Sequence, residues 1–133
     1  MNKIHRFQLD KLLRANAAAN MRQSGMEVRE RVLEREEYIK RLKDKLLEEA
    51  REAVEASSQE HSVEELADVI EAIRAMALIY NMDLADILKL AEEKRVEKGG
   101  YEAGIYGEYV EVSEDHPRFQ HYNSQPEKYP EIK

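Results

Sequence analysis

The chain contains no cysteine, and it has only five glycines and three prolines among its 133 residues. The absence of cysteine excludes disulfide bonds and thiol chemistry. Because glycine and proline are the residues that most often interrupt helices, their scarcity predicts a mostly helical protein. Hydrophobic residues make up 42% of the chain, and this length and content predict one domain with a modest core.

The sequence also lacks an excess of basic charge and any long apolar segment. Its net charge of -7 argues against a nucleic-acid polymer or an anionic membrane as a partner, because both require a basic face. No run of about 18 apolar residues occurs, and the N-terminus, with Asp10, Lys11 and Arg14 among short apolar runs, does not resemble a signal peptide. These observations favour a cytoplasmic protein.

Apolar residues recur every three or four positions in four segments, which predicts four helices. The predicted helices are a short one at 9–23 that ends before Gly25, a long one at about 35–56, a second long one at 62–80 with Ser62 as its N-cap, and a last one from just after Asp83 to Gly99 and Gly100. Residues 26–33 alternate between apolar and charged, which is typical of an extended segment or a short edge strand.

The composition changes after Gly100. Five of the seven tyrosines and all three prolines lie in residues 101–133. This bias predicts an irregular C-terminal tail, with a strand at 105–112 as its regular element. The sequence therefore predicts a single all-α domain over 1–133, with a helical core at about 9–100 and the tail at 101–133.

Two pairs of carboxylates, each three residues apart, lie on the two long predicted helices. Glu49 and Glu52 form the first pair and Glu65 and Asp68 the second, with Glu48 directly before the first. Residues three apart share one face of a helix, so two antiparallel helices would direct both pairs to one point between them. Because hard divalent cations prefer oxygen ligands, this arrangement favours a Mg²⁺ site.

The simplest alternative is that these acids form only the solvated faces of two charged helices. Helical projection argues against it, because Glu49 falls inside the apolar arc of its helix. Glu65 and Asp68 fall on a face that continues through apolar residues, so the second long helix is apolar on two sides. Inward-facing carboxylates about 5 Å apart repel by roughly 3 kcal/mol per pair at an effective dielectric of about 20, and a bound cation offsets that repulsion. For Glu65 alone, a capping box with Ser62 is a further alternative.

The acid pattern, E-E-x-x-E followed after a spacer by E-x-x-D, resembles that of the all-α nucleoside triphosphate pyrophosphohydrolases, and most closely the small single-domain MazG-like proteins. It occurs here in LLEEAREAVE at 46–55 and in EELADVIEAI at 64–73. The resemblance covers nearly the whole chain, through KLLR at 11–14, KRVEKGGY at 94–101 and HPRFQHYNSQPEKYPEI at 116–132. The chain departs from the family pattern at Ala15 and Asn16, where the family has Asp and Lys, and at Lys98, where it has Arg.

The resemblance implies a helical bundle whose four-helix core is completed in a homodimer or homotetramer. It also implies a reaction that depends on Mg²⁺, with Mn²⁺ as a substitute. The implied metal ligands are Glu49, Glu52, Glu65 and Asp68. The implied catalytic residues are Glu48 and Glu49. The implied substrate-binding residues are Lys94, Arg95, Lys98, Lys11 and Arg14, and for the first three the alternative is a stabilising role at a helix C-terminus.

The reaction that the resemblance implies converts an NTP or dNTP and water to a monophosphate and pyrophosphate, and it would remove non-standard or surplus nucleotides. Two alternatives remain open. One is a catalytically silent protein of the same fold that binds a nucleotide or a partner, which the changes at Ala15 and Asn16 favour. The other is a specialised phosphoribosyl-ATP-type pyrophosphohydrolase, which only a comparison of substrates distinguishes.

Overall fold

The computed structural model describes residues 2–133, and its regular elements over that range are five α-helices and no strand. The helices are α1 Ala17–Gln23, α2 Arg35–Glu55, α3 Gln59–Ile79, α4 Leu84–Lys98 and α5 Phe119–Asn123. The prediction of an all-α protein is confirmed. The strand predicted at 105–112 is wrong, because that segment has no neighbouring strand to pair with. Residues 26–33 form no strand either, so of the two alternatives predicted for them the edge strand is wrong.

The chain divides into two compact units, one ending at Glu97 and the other beginning at Lys98. The first unit contains α1 to α3 and nearly all of α4. The second is irregular apart from α5, and its rings cluster at His121, Tyr122 and Tyr129, whose centroids lie 4.9 to 5.5 Å apart. No helix in the described part of the chain is both long and apolar enough to cross a membrane.

Helix α1 is shorter than the sequence predicts, since it begins at Ala17 rather than at residue 9. Asp10 adopts a positive φ of 48°, which a helix cannot accommodate, and its carboxylate pairs with Arg41 of α2 at 2.7 Å. The contact with α2 holds this segment as irregular chain. The predicted end at Gly25 is confirmed: its φ is 102°, and the N–H of Met26 donates to the Met21 carbonyl at 3.0 Å, as in a Schellman cap.

Helices α2 and α3 form the structural centre of the first unit. The bounds of α2 agree with the prediction to within one residue. Leu42 of α2 and Ala72 of α3 are buried, and the small alanine side chain allows the two helices to approach closely. This packing makes an α2–α3 hairpin whose inner face brings Glu49 of the first predicted acid pair to Glu65 and Asp68 of the second.

The start of α3 corrects the predicted N-cap. The helix begins at Gln59, and the Ser58 hydroxyl accepts a hydrogen bond from the His61 N–H at 3.1 Å. Ser62 instead lies inside the first turns and donates its hydroxyl to the Ala53 carbonyl at 3.1 Å. The capping box of Ser62 with Glu65 is therefore wrong, because Ser62 is not at the cap position.

The outer face of the hairpin remains uncovered. In the described part of the chain the buried hydrophobic residues are Ala18, Leu42, Ala72 and Ala77 alone. On α3, Val63, Leu66 and Ile70 are about half exposed, at 57%, 54% and 46%. The prediction that α3 is apolar on two sides agrees with this arrangement, but only one of those sides is covered. Helix α4 buries none of its residues.

Candidate metal centre

Three carboxylates from the two hairpin helices come together on the inner face. Glu49 of α2 and Glu65 of α3 are each only 8% exposed, and Asp68 lies one helical turn beyond Glu65 at intermediate burial. One oxygen from each of these residues lies within 4.8 Å of the other two. We call Glu49, Glu65 and Asp68 the acidic cluster. The predicted convergence of acids from two helices is thus present in the structure for three of the four residues.

Two oxygens of the acidic cluster are buried without a partner. Oε2 of Glu49 and Oε2 of Glu65 are both shielded from solvent and accept no hydrogen bond. A buried polar atom without a partner is costly, and a charged one more so. Such atoms are satisfied by a proton or a cation, so the donor set fits a hard divalent ion that binds oxygen. These orphaned oxygens distinguish the cluster from an acidic patch on a solvated surface.

The electrostatics of the cluster centre on Glu65. The pKa of Glu65 is raised from 4.5 to about 7, first by burial, then by hydrogen bonding with Glu49 and Glu52 and by the negative charges of Glu52 and Asp68. Near neutral pH the Glu65 carboxyl therefore holds a proton for a substantial fraction of the time. Glu52 is exposed, so it acts on Glu65 from the rim of the cluster.

Basic side chains surround the acids from two directions. Lys45, one turn before Glu49, lies 3.4 Å from Oε1 of Glu49 and 3.5 Å from Oε2 of Glu48. From the N-terminal segment, Lys11 lies 3.9 Å from Oε1 of Glu48. Arg14 donates to Oδ1 of Asp68 at 2.6 Å. The five acids, with Glu52 included, face three basic side chains, which leaves an excess of two negative charges when Glu65 is ionised and of one when it is protonated.

His61 adds one group that sequence reasoning missed. Its Nε2 lies 3.4 Å from Oε1 of Glu65, four residues further along α3. The spacing of four residues could have identified this pair in the sequence, but the predicted helix began only at Ser62. The contact between Arg14 and Asp68 was also missed, because 54 residues separate them and helical periodicity carries no information over that distance.

Two surface cavities adjoin the cluster, and Arg14 lines both. One, of about 160 Å³, has an apolar wall that includes Leu12, Leu13 and Tyr38 and an acidic edge at Glu49 and Asp68. The other, of about 510 Å³, is lined by Arg14, Ala15, Asn16, Ala17, Asn20 and Glu71. The two positions that depart from the family pattern, Ala15 and Asn16, therefore form a neutral part of a cavity wall next to the acids.

The basic residues at the end of α4 are placed differently from Lys11 and Arg14. Lys94, Arg95 and Lys98 are exposed in the last turn of the helix, and Gly99 follows with a φ of 82°. Lys94 and Arg95 line neither of the two cavities. This position matches the alternative in which cations and a glycine stabilise a helix C-terminus.

Comparison of the chain with protein-family models, with curated proteins and with solved structures finds no match.

Proposed function

We propose that this protein is a Mg²⁺-dependent nucleotide pyrophosphohydrolase of the MazG-like type, which converts an NTP or dNTP to a monophosphate and pyrophosphate. The observation that carries the proposal is the pair of buried, unpartnered oxygens on Glu49 and Glu65, within reach of Asp68. Burying a carboxylate without a partner destabilises the folded protein. A bound cation would offset that destabilisation, which supports a metal-binding role for these acids.

The residues that would hold the ion are Glu49, Glu65 and Asp68, with Glu52 at the rim. A bound Mg²⁺, or Mn²⁺ in its place, would neutralise charge on phosphate oxygens and favour ionisation of a bound water. Glu48, whose side chain is 33% exposed and contacts Lys11 and Lys45, would accept the proton of that water. Arg14 presents a planar guanidinium beside the cluster, a group suited to two-point contact with phosphate.

The proposal includes association of the chain into a homodimer or homotetramer. Its support is the outer face of α3, where Val63, Leu66 and Ile70 are exposed together. A chain of this size ordinarily buries about two thirds of the surface that its unfolded form exposes, whereas the described hydrophobic residues that are buried number four. A second copy packed on this face would complete a four-helix core.

The direct test is incubation of the purified protein with Mg²⁺ and a panel of ribo- and deoxynucleoside triphosphates, with measurement of monophosphate and pyrophosphate. We expect release of both products from the wild type and none from Asp68→Ala. Glu64→Ala is the matched control, because Glu64 is an exposed acid on the same helix outside the cluster. If no nucleotide releases pyrophosphate while the folded protein binds Mg²⁺, the general hydrolase is excluded.

One contact favours a second candidate, a catalytically silent nucleotide-binding protein. Asp68 is already engaged by Arg14, and the neighbouring cavity wall at Ala15 and Asn16 carries no charge. Tight nucleotide binding without turnover would identify this function. Including phosphoribosyl-ATP in the panel distinguishes the specialised pyrophosphohydrolase, since that enzyme would release pyrophosphate from phosphoribosyl-ATP alone.

A further inference from the structure

We propose that Arg14 is an exchangeable counter-ion of the candidate metal centre: it holds Asp68 when the cation is absent and turns to the phosphate groups of the substrate when the cation binds. The inference rests on the proposed metal site and concerns how that site is filled. Arg14 would then have two successive partners, Asp68 and a substrate phosphate, and binding of the cation would favour binding of the phosphate.

The acids of the cluster differ in how they are satisfied. Glu49 and Glu65 each keep one buried oxygen without a partner, whereas Asp68 accepts a 2.6 Å hydrogen bond from Nη2 of Arg14. A cation that uses all three acids must therefore compete for Asp68 with a guanidinium, but it meets unpartnered oxygens on the other two. Arg14 is thus the direct competitor of the cation.

The pair is able to separate because both partners reach solvent. The side chains of Arg14 and Asp68 are 60% and 37% exposed, and ion pairs with such exposure contribute little net stability. Lys45 differs, since its side chain is only 21% exposed and contacts Glu48 and Glu49 at the same time. That lysine also leaves Oε2 of Glu49 unpartnered, so a cation need not displace it.

The backbone beneath Arg14 is anchored while its side chain can move. On one side Leu12 and Leu13 are half-buried at the wall of the smaller cavity. On the other side α1 begins three residues later, at Ala17. A guanidinium on a fixed base can change partners by rotation of its side chain alone.

A second partner has room beside the acids. The cavity of about 510 Å³ is lined by Arg14, Asn16 and Asn20 and by one acid, Glu71, whose charge is offset by its pair with Arg74 at 3.3 Å. The side-chain amides of the two asparagines can donate hydrogen bonds to phosphate oxygens. When a cation takes Asp68, the released guanidinium lies at the shared edge of this cavity and the acidic cluster. The order of binding that follows is the cation first and the polyphosphate second.

The test measures the two affinities separately by isothermal titration calorimetry on the full chain. Mn²⁺ is titrated into the metal-free wild type, Arg14→Gln and Arg31→Gln. The last variant is the matched control, because Arg31 pairs with Glu37 at 2.7 Å with nearly the same side-chain exposure, 68% and 38%, as Arg14 and Asp68, and neither residue lines the two cavities. We expect Arg14→Gln to bind Mn²⁺ about fivefold more tightly than wild type and Arg31→Gln to bind it as wild type does.

Inorganic pyrophosphate is then titrated into the same proteins with Mn²⁺ at saturation. Here we expect Arg14→Gln to bind about tenfold more weakly, because it has lost a charge-assisted contact, and Arg31→Gln to bind as wild type. A fixed positive charge would give the same two signs, so Arg14→Gln is also made in an Asp68→Asn background, which has no carboxylate for Arg14 to hold. Exchange predicts that Arg14→Gln no longer tightens Mn²⁺ binding in that background, whereas a fixed charge would tighten it in both.

The outcomes separate this inference from the proposed function. If the wild type binds Mn²⁺ and Arg14→Gln binds it equally or more weakly, Arg14 does not compete with the cation and the exchange is overturned while the metal site stands. If neither protein binds Mn²⁺, the metal site itself is overturned. Tighter Mn²⁺ binding caused by Arg14→Gln only where Asp68 is present, with circular dichroism showing that the proteins are folded, supports the exchange.

Discussion

The two faces of the α2–α3 hairpin reverse the arrangement that is usual in a small protein. The inner face buries two carboxylates, Glu49 and Glu65, while the outer face exposes Leu66 and Ile70. Charged residues are ordinarily almost never buried unless they are paired, and large apolar residues are most often inside. This reversal supports the two proposals made above, a cation on the inner face and a second copy of the chain on the outer face.

Glu65→Gln tests the inner face most directly, because it replaces the buried carboxylate by a neutral amide of nearly the same shape. In Glu65→Gln we expect hydrolysis to fall at least about 100-fold, because one of three candidate ligands is lost. The metal-free protein should nevertheless melt at a higher temperature than wild type at pH 8, because a neutral amide replaces a buried carboxylate whose desolvation is uncompensated. Steady-state kinetics and differential scanning calorimetry measure the two effects.

Glu64→Gln is the control for that substitution, since Glu64 is the exposed neighbour of Glu65 on α3. It should change neither the rate nor the melting temperature appreciably. A Glu65→Gln protein that is less stable than wild type and still active would show that the inner face is built for structure.

The outer face is tested by placing a charge within it. Leu66→Glu should weaken self-association by about 30-fold or more, because a buried apolar contact at an interface would become a desolvated charge. Sedimentation equilibrium measures the association, and the melting temperature of the wild type should rise with protein concentration if the folded form is an oligomer.

Val32→Glu provides the comparison, because Val32 is 98% exposed in an irregular segment and should not affect association. If the wild type sediments as a monomer at all concentrations, the outer face is not an interface between copies of this chain.

Both the stability of the folded chain and its binding of a cation should depend on pH through Glu65. The pKa of Glu65 is raised in the folded state from 4.5 to about 7. Between those values the folded chain holds a proton that the unfolded chain releases, so the stability that this proton provides is complete below pH 4.5 and is lost as pH rises to about 7. Cation binding has the opposite trend, since the proton must leave before the carboxylate can bind metal.

The rise in melting temperature on addition of Mg²⁺ should therefore be small at pH 5.5 and larger at pH 8. Scanning calorimetry with and without Mg²⁺ at both pH values measures it, and Glu65→Gln isolates the contribution of this group. A Mg²⁺ effect that is equal at the two pH values would contradict a site that includes Glu65.

Local patterns predicted the helices better than the contacts between distant segments. The apolar period of α2 was sufficient to place that helix, and the glycine signals after α1 and α4 were sufficient to place the ends of those two helices, because each depends on neighbouring residues. The start of α1 was wrong because Asp10 pairs with Arg41, 31 residues away. For the same reason Arg14 was not foreseen at Asp68, although the convergence of Glu49, Glu65 and Asp68 followed from helical spacing.

The smallest predicted effect concerns the turn that joins the two helices of the hairpin. Ser58→Ala should lower the free energy of unfolding by about 1 kcal/mol, because the N–H of His61 loses its capping oxygen. Urea unfolding without metal measures the loss, and hydrogen exchange of the His61 amide should become faster. Ser57→Ala, in the same exposed turn, should change neither. If the His61 amide exchanges at an unchanged rate in Ser58→Ala, Ser58 does not cap α3, and Ser62 is again the candidate N-cap. Faster exchange would confirm that α3 begins at Gln59 and that the turn before it sets the alignment of Glu65 with Glu49.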